Sequence, residues 1–170
     1  MSFEGRVAVI TGGARGIGRS IAKELAAGGA TLALVDVLLD VAEETAAEFR
    51  SQGVEAAAFA ANVANPEDVT RMCGEVIERF GKIDILVNNA ALHTRKRSLV
   101  EIGTERWDRV VAVNFTAPFD FARQVVPAMR AAGGGVVINI CSDAATIPDR
   151  TYTGAAYGPS KAALAAFTQS

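Results

Sequence analysis

The chain has 170 residues, half of them hydrophobic but only 6% aromatic, and a formal net charge of −2. A chain of this length is expected to be one domain, residues 1–170, burying about 70% of its unfolded surface. The charge balance excludes the strongly basic face of a nucleic-acid or anionic-membrane binder, and no apolar run reaches membrane-spanning length or forms an N-terminal signal, so a cytoplasmic protein is expected.

Short β-branched runs alternate with longer helical patterns, which predicts repeated βαβ units and a parallel sheet covered on both faces. The first strand, residues 6–10, runs into the turn Thr11-Gly12-Gly13-Ala14-Arg15-Gly16-Ile17-Gly18 and a helix over 16–27. A strand at 31–36, a helix at 39–52 and a strand at 55–60 follow, with Gly53 placed to end the helix in the left-handed conformation. The run Asn65-Pro66-Glu67-Asp68 opens a helix over 66–80: a capping side chain, proline at the first helical position, then acids at the positive end. Gly81 ends it, and a strand at 85–88 comes next. The helical pattern over 105–131 contains Pro118 and Pro127, which predicts a kink or a division. Gly133-Gly134-Gly135 leads into a strand at 136–140, and the last helix spans 157–170. Cys73 and Cys141 match no metal or redox spacing and read as small core residues; with a sole histidine, no metal site is expected. Arg95, Lys96 and Arg97 read as a solvated loop.

The glycines of the first turn allow a tight bend, backbone approach to a pyrophosphate and close packing of helix on strand. The helix start adds unpaired N–H groups and a positive dipole end. No Gly-Lys-Ser/Thr closes the turn, which excludes a Walker phosphate loop; an ordinary tight turn is the competing reading. Asp36, ending the second strand, can accept hydrogen bonds from ribose hydroxyls, and its charge repels a 2′-phosphate, which favours NAD over NADP. An acid that merely starts the next loop is the alternative.

Tyr157-Gly158-Pro159-Ser160-Lys161 places Tyr157 and Lys161 one helical turn apart on one face. A phenol ionises near pH 10, and a neighbouring ammonium lowers that value towards a useful range. Ser142 ends the fifth strand, where open α/β sheets bind ligands. Asn114 reads equally as a buried helix asparagine bonded to nearby backbone.

These stretches together resemble the short-chain dehydrogenase/reductase family. Its Thr-Gly-x-x-x-Gly-x-Gly turn is matched at Thr11–Gly18, its Asp-Val by Asn62-Val63, and its Asn-Asn-Ala-Gly by Asn88-Asn89-Ala90-Ala91. Val113-Asn114-Phe115 and the set Ser142, Tyr157 and Lys161 complete the match over residues 5–170. The resemblance implies a Rossmann-like doubly wound α/β fold and a nicotinamide cofactor. Contacts to that cofactor are expected from Gly12, Arg15, Gly16, Ile17, Gly18, Asp36, Asn62, Val63, Asn89, Ala90, Tyr157 and Lys161. Arg15 leans towards NADP, against Asp36. Ser142 would hold the substrate oxygen, Tyr157 exchange its proton, Lys161 bind the nicotinamide ribose and lower the phenol pKa, and Asn114 support a proton relay. The reaction implied is hydride transfer to or from an alcohol or ketone.

Ala91 and Ala145 replace frequent family glycines, and the 142–157 segment is slightly longer than usual. His93, Thr94, Ile147, Tyr152 and Thr153 are candidates for the substrate side. Full family members continue past this chain's last residues with two more strands and a mobile cover, and most are homotetramers or homodimers. The chain is therefore expected to be a fragment, a partial structure or a natural truncation, with the 136–140 strand left as an exposed edge. A non-catalytic NAD-binding module and an interaction protein on the same scaffold are the competing functions.

Overall fold

The computed structural model describes residues 2–93, 98–147 and 154–169. Five strands, β1 (Val7–Thr11), β2 (Thr31–Asp36), β3 (Ala56–Ala60), β4 (Ile85–Asn88) and β5 (Val136–Asn139), form one parallel sheet in the order β3-β2-β1-β4-β5. The helices are α1 (Gly16–Ala27), α2 (Leu39–Ser51), α3 (Pro66–Phe80), α4 (Thr104–Val111), α5 (Ala117–Ala131) and α6 (Gly154–Thr168). The chain builds outwards from β1 to β3, then crosses back to place β4 on the other side of β1. That reversal opens a crevice at the C-terminal ends of β1 and β4.

A parallel sheet needs cover on both faces, and β1 shows how this sequence supplies it. Val7 and Val9 join Phe59, Met72, Val76 and Phe121 in a cluster carried by α3 and α5. Ala8 and Ile10, pointing the other way, join Leu25, Leu34 and Phe49 under α1 and α2. The fold is the doubly wound α/β architecture that the sequence implies.

Most element limits agree with the sequence reading; β3, β5 and α2 shift by a single residue at one end, and β1 moves along by one residue. Asn65 caps α3 by accepting the Glu67 N–H at 2.9 Å, and Gly81 ends it at φ 82°. The helix expected over 105–131 is divided by a π-helical segment, Ala112–Thr116. Pro118 has no N–H to offer the carbonyl of Asn114, and its ring crowds that carbonyl, so a wider turn forms there. Pro127 stays inside α5. The last helix starts at Gly154, earlier than expected, because Ala155 and Ala156 are strong helix formers.

Strand β5 pairs with β4 alone, and Val136 and Ile138 are 53% and 40% exposed, the open edge that the sequence anticipates. Cys73 is buried, and desolvation pushes its thiol up to about 12. Cys141, expected in the core, is only half-buried because it follows this edge strand. Among the described residues no helix is long and apolar enough to cross a membrane.

Candidate active site

Strand β1 delivers Thr11 to the edge of the sheet where β4 also ends. Its hydroxyl accepts the N–H groups of Asn89 and Ala90 at 3.0 and 3.1 Å and donates to the Val87 carbonyl at 3.3 Å. The Asn89 amide returns to the carbonyls of Thr11 and Gly12 at 2.9 and 3.2 Å. Two short polar side chains thus stitch the ends of β1 and β4 and shape the turn between them. Gly12 is left-handed there, with φ 64°, and a Cβ on Gly18 would stand 2.1 Å from the Gly12 carbonyl oxygen. Only glycine lets α1 approach its own turn so closely. No side chain caps α1, so its first N–H groups and positive end remain available to an anion. Arg15, at the N-cap, and Ile17 are exposed beside it, next to Gly16.

An open cleft of about 840 Å³ runs from Asp36 and Asn62, past Gly12 and Ala90, to Leu92 and Val113; Arg15, Val63, Asn89 and Ala91 also line it. The Asp36 carboxylate accepts the Ala14 N–H at 3.3 Å and the Leu38 N–H at 3.1 Å. Those bonds fix its orientation yet leave lone pairs for a further donor. Asn62 uses its side-chain oxygen on the Ala64 N–H at 3.2 Å.

One strand along the sheet, β5 and α6 gather Ser142, Tyr157 and Lys161. Tyr157 and Lys161 lie on the buried face of α6, only 7% and 2% exposed. The Lys161 ammonium donates to the Ile140 carbonyl at 2.6 Å and stands 5.9 Å from the centre of the Tyr157 ring. Ser142 caps the short turn Asp143–Ala145 by accepting the Ala144 N–H at 3.2 Å and donates to Asp143 at 3.1 Å. Burial pushes the phenol of Tyr157 above its usual value; the Ser142 bond opposes this, while Asp143 and Cys141 add to the rise. Burial likewise pushes the Lys161 ammonium below its usual value.

The sequence implied that Lys161 lowers the phenol. In this chain desolvation dominates instead, and the ammonium is engaged by the Ile140 carbonyl.

Asn114 is fully buried in the π-helical segment. Its side chain accepts the Leu92 N–H at 2.8 Å and donates to the Leu92 carbonyl at 3.1 Å and to Ser160 at 3.0 Å. Ser160 in turn donates to the Tyr157 carbonyl at 2.7 Å. Asn114 therefore ties the segment after β4 to α6 instead of bonding its own helix. Neither the π-helical segment nor the part played by Ser160 was read from the sequence. Pro118 was the available signal for the first, and the neighbourhood of Lys161 for the second.

His93 is stacked on Tyr157, with ring centroids 4.1 Å apart and planes at 14°. Ile147 is exposed. Thr94, Arg95, Lys96, Arg97, Tyr152 and Thr153 lie outside the described residues. Among the described residues, no group of three or more His, Cys, Asp and Glu side chains could hold a metal ion.

A family model described as short chain dehydrogenase matches residues 6–170. A sorbitol dehydrogenase of Cereibacter sphaeroides is 40% identical over 171 residues, covering 100% of this chain and 64% of that protein. A D-threitol dehydrogenase of Mycolicibacterium smegmatis is 38% identical over 145 residues, covering 85% of this chain and 55% of the relative. The crystal structure of a metagenomic short-chain oxidoreductase in complex with NADP matches with a TM-score of 0.91 at 34% identity, covering 98% of this chain and 74% of that one. The chain spans just under two thirds of the length of the sorbitol dehydrogenase.

Proposed function

This chain belongs to the short-chain dehydrogenase family, and on that footing we propose that it is the dinucleotide-binding domain of an NAD-dependent oxidoreductase acting on an alcohol or ketone. The observation that carries the proposal is the pairing of Tyr157 and Lys161 on the buried face of α6, with Ser142 half-buried after β5, on the same fold as an open cleft at the glycine turn. The likeness to a sorbitol and a D-threitol dehydrogenase makes an open-chain polyol the first substrate class to try.

The residues present fit a dinucleotide. Gly18 leaves no room for a side chain between α1 and its turn, α1 is uncapped, and the Asp36 carboxylate lines the cleft with acceptor capacity to spare. Asp36 supports NAD over NADP by repelling a 2′-phosphate, and Arg15 supports the opposite choice less strongly because it is exposed and solvated. When bound, the nicotinamide carries the hydride. The remaining chemistry is a proton transfer that this chain's own groups perform. Ser142 directs the substrate oxygen towards the phenol and steadies charge that develops on it. Tyr157 gives its proton to that oxygen in reduction and takes one from it in oxidation. Burial favours the acid form of the phenol, the form that donates in the reduction direction. Lys161, fixed by the Ile140 carbonyl, keeps a cation near the ring and would hold the ribose of a bound nicotinamide. Asn114 holds the two halves of the site in register and supports the return of the proton to solvent. The whole protein would work in the cytoplasm as a homodimer or homotetramer, without nucleic acid or membrane as partner.

The test is reduction of NAD in the presence of sorbitol or threitol, by the chain and by its Tyr157→Phe variant. Turnover should fall about 10²–10⁴-fold in the variant, with NADH affinity unchanged. Equal turnover in both would sink the acid–base role. Binding without turnover in the wild type would favour a non-catalytic nucleotide module.

A further inference from the structure

His93 lies where its backbone is held twice from outside its own segment. Leu92, its neighbour, has both backbone groups bonded to the Asn114 side chain at 2.8 and 3.1 Å. The His93 carbonyl itself accepts from the Arg106 guanidinium of α4 at 2.6 Å. The π-helical segment and α4 therefore both fix the point from which the imidazole projects. From there the ring stacks on Tyr157 at a centroid distance of 4.1 Å and an interplanar angle of 14°.

That contact covers one face of the phenol and hinders rotation about its side-chain bonds. Proton transfer requires a heavy-atom approach of roughly 2.6–3.2 Å, and a misplacement of about 1 Å can cost on the order of 10²-fold in rate. A phenol that must present its hydroxyl in one direction benefits from a partner that fixes its plane.

We infer that His93 is a positioning residue for Tyr157: by stacking on the ring it sets the direction of the phenol hydroxyl and keeps water from that face. The inference rests on the acid–base role proposed for Tyr157. Several other charged or titratable groups surround the pair. Lys161 lies on α6 beside the ring, Asp143 and Cys141 follow β5 and act on the phenol, and Arg106 of α4 holds the His93 backbone. None of them covers the ring as the imidazole does.

His93 is the sole histidine of the chain, so its carbon-bound ring protons give the only imidazole signals in a proton NMR spectrum. Those signals should lie upfield of free imidazole, because they sit over the phenol ring. They should stay there in Tyr157→Phe and move to the free position in Tyr157→Leu. An absorbance titration of the phenol, taken as wild type minus Tyr157→Phe, gives the second readout. His93→Ala should bring the midpoint down towards the ordinary value near ~10, and His93→Phe, which keeps a stacked ring, should hold it up. The far-ultraviolet circular dichroism of each variant reports that the fold is intact. Unshifted imidazole signals, or a phenol midpoint that His93→Ala leaves unmoved, would overturn the inference. These readouts need no turnover, so failure to oxidise any polyol would count against the proposed function and leave the stack to be judged separately. In the active protein, His93→Ala should lower kcat by about 10-fold with the KM for NAD little changed, and His93→Phe should recover most of it.

Discussion

The ammonium of Lys161 donates to the carbonyl of Ile140 at 2.6 Å, tying the middle of α6 to the segment that leaves β5. This bond crosses the site at the point where Ser142 follows Ile140 by two residues, so the position of the serine depends on it. Lys161→Met keeps the apolar stem and deletes the donor. The Ile140 carbonyl then loses its partner, at an expected cost of about 1–3 kcal/mol, read as a lower denaturant midpoint. Unchanged stability would show that water replaces the ammonium without loss.

The phenol of Tyr157 should ionise above the ordinary tyrosine value, because burial outweighs the opposing Ser142 bond. A proton held more tightly in the folded state makes a stabilising contribution that is complete below the unfolded value near ~10 and lost as pH rises through the raised one. Ser142→Ala removes the opposing bond and should move the midpoint higher still. An unmoved or lower midpoint would mean that Ser142 does not stabilise the phenolate.

Gly18→Ala places a methyl where the Gly12 carbonyl oxygen stands 2.1 Å away, so the turn must open. The expected cost is about 1–3 kcal/mol of stability. NADH affinity should fall by more than the stability change alone explains, as measured by fluorescence titration below the unfolding temperature. An unaltered affinity would place the dinucleotide elsewhere.

Asp84 joins the starts of β1 and β4, accepting the Val7 N–H and an Arg6 N–H, each at 2.9 Å, with Lys82 also in reach. Burial pushes this carboxyl up, but the Val7 N–H together with Arg6 and Lys82 outweighs it and holds the group below the usual carboxylate range. The stabilisation is therefore present above the unfolded value near ~3.9 and disappears as pH falls through the lowered folded value. Asp84→Asn should cost about 1–3 kcal/mol at neutral pH, and the difference from wild type should shrink in acid titrations. A pH-independent difference would assign the loss to packing instead.

The parallel sheet, the glycine turn and the Tyr157–Lys161 face were legible because each depends on local pattern: β-branched runs, glycine spacing and one helical turn. The division of the 105–131 helix was half legible. Pro118 signals a break, but the wider π turn at Asn114 depends on how that carbonyl is relieved in three dimensions. The His93 stack was not legible, since it depends on Asn114 and Arg106 holding a loop from two other elements. The direction of the phenol shift is not legible in the sequence for a related reason. Sequence places an ammonium nearby, whereas only packing reveals that the phenol is desolvated and that the ammonium is occupied by a carbonyl.

The most direct test of the central claim is a fluorescence titration of the chain with NADH and, in parallel, with NADPH, repeated with Asp36→Ala. Saturable binding that prefers NADH, with the preference lost in Asp36→Ala, is the predicted result and establishes the cleft beside Gly12 and Asp36 as the dinucleotide site. Binding that prefers NADPH, or a preference that survives Asp36→Ala, would contradict the assignment of NAD to this carboxylate; no binding of either would contradict the site itself.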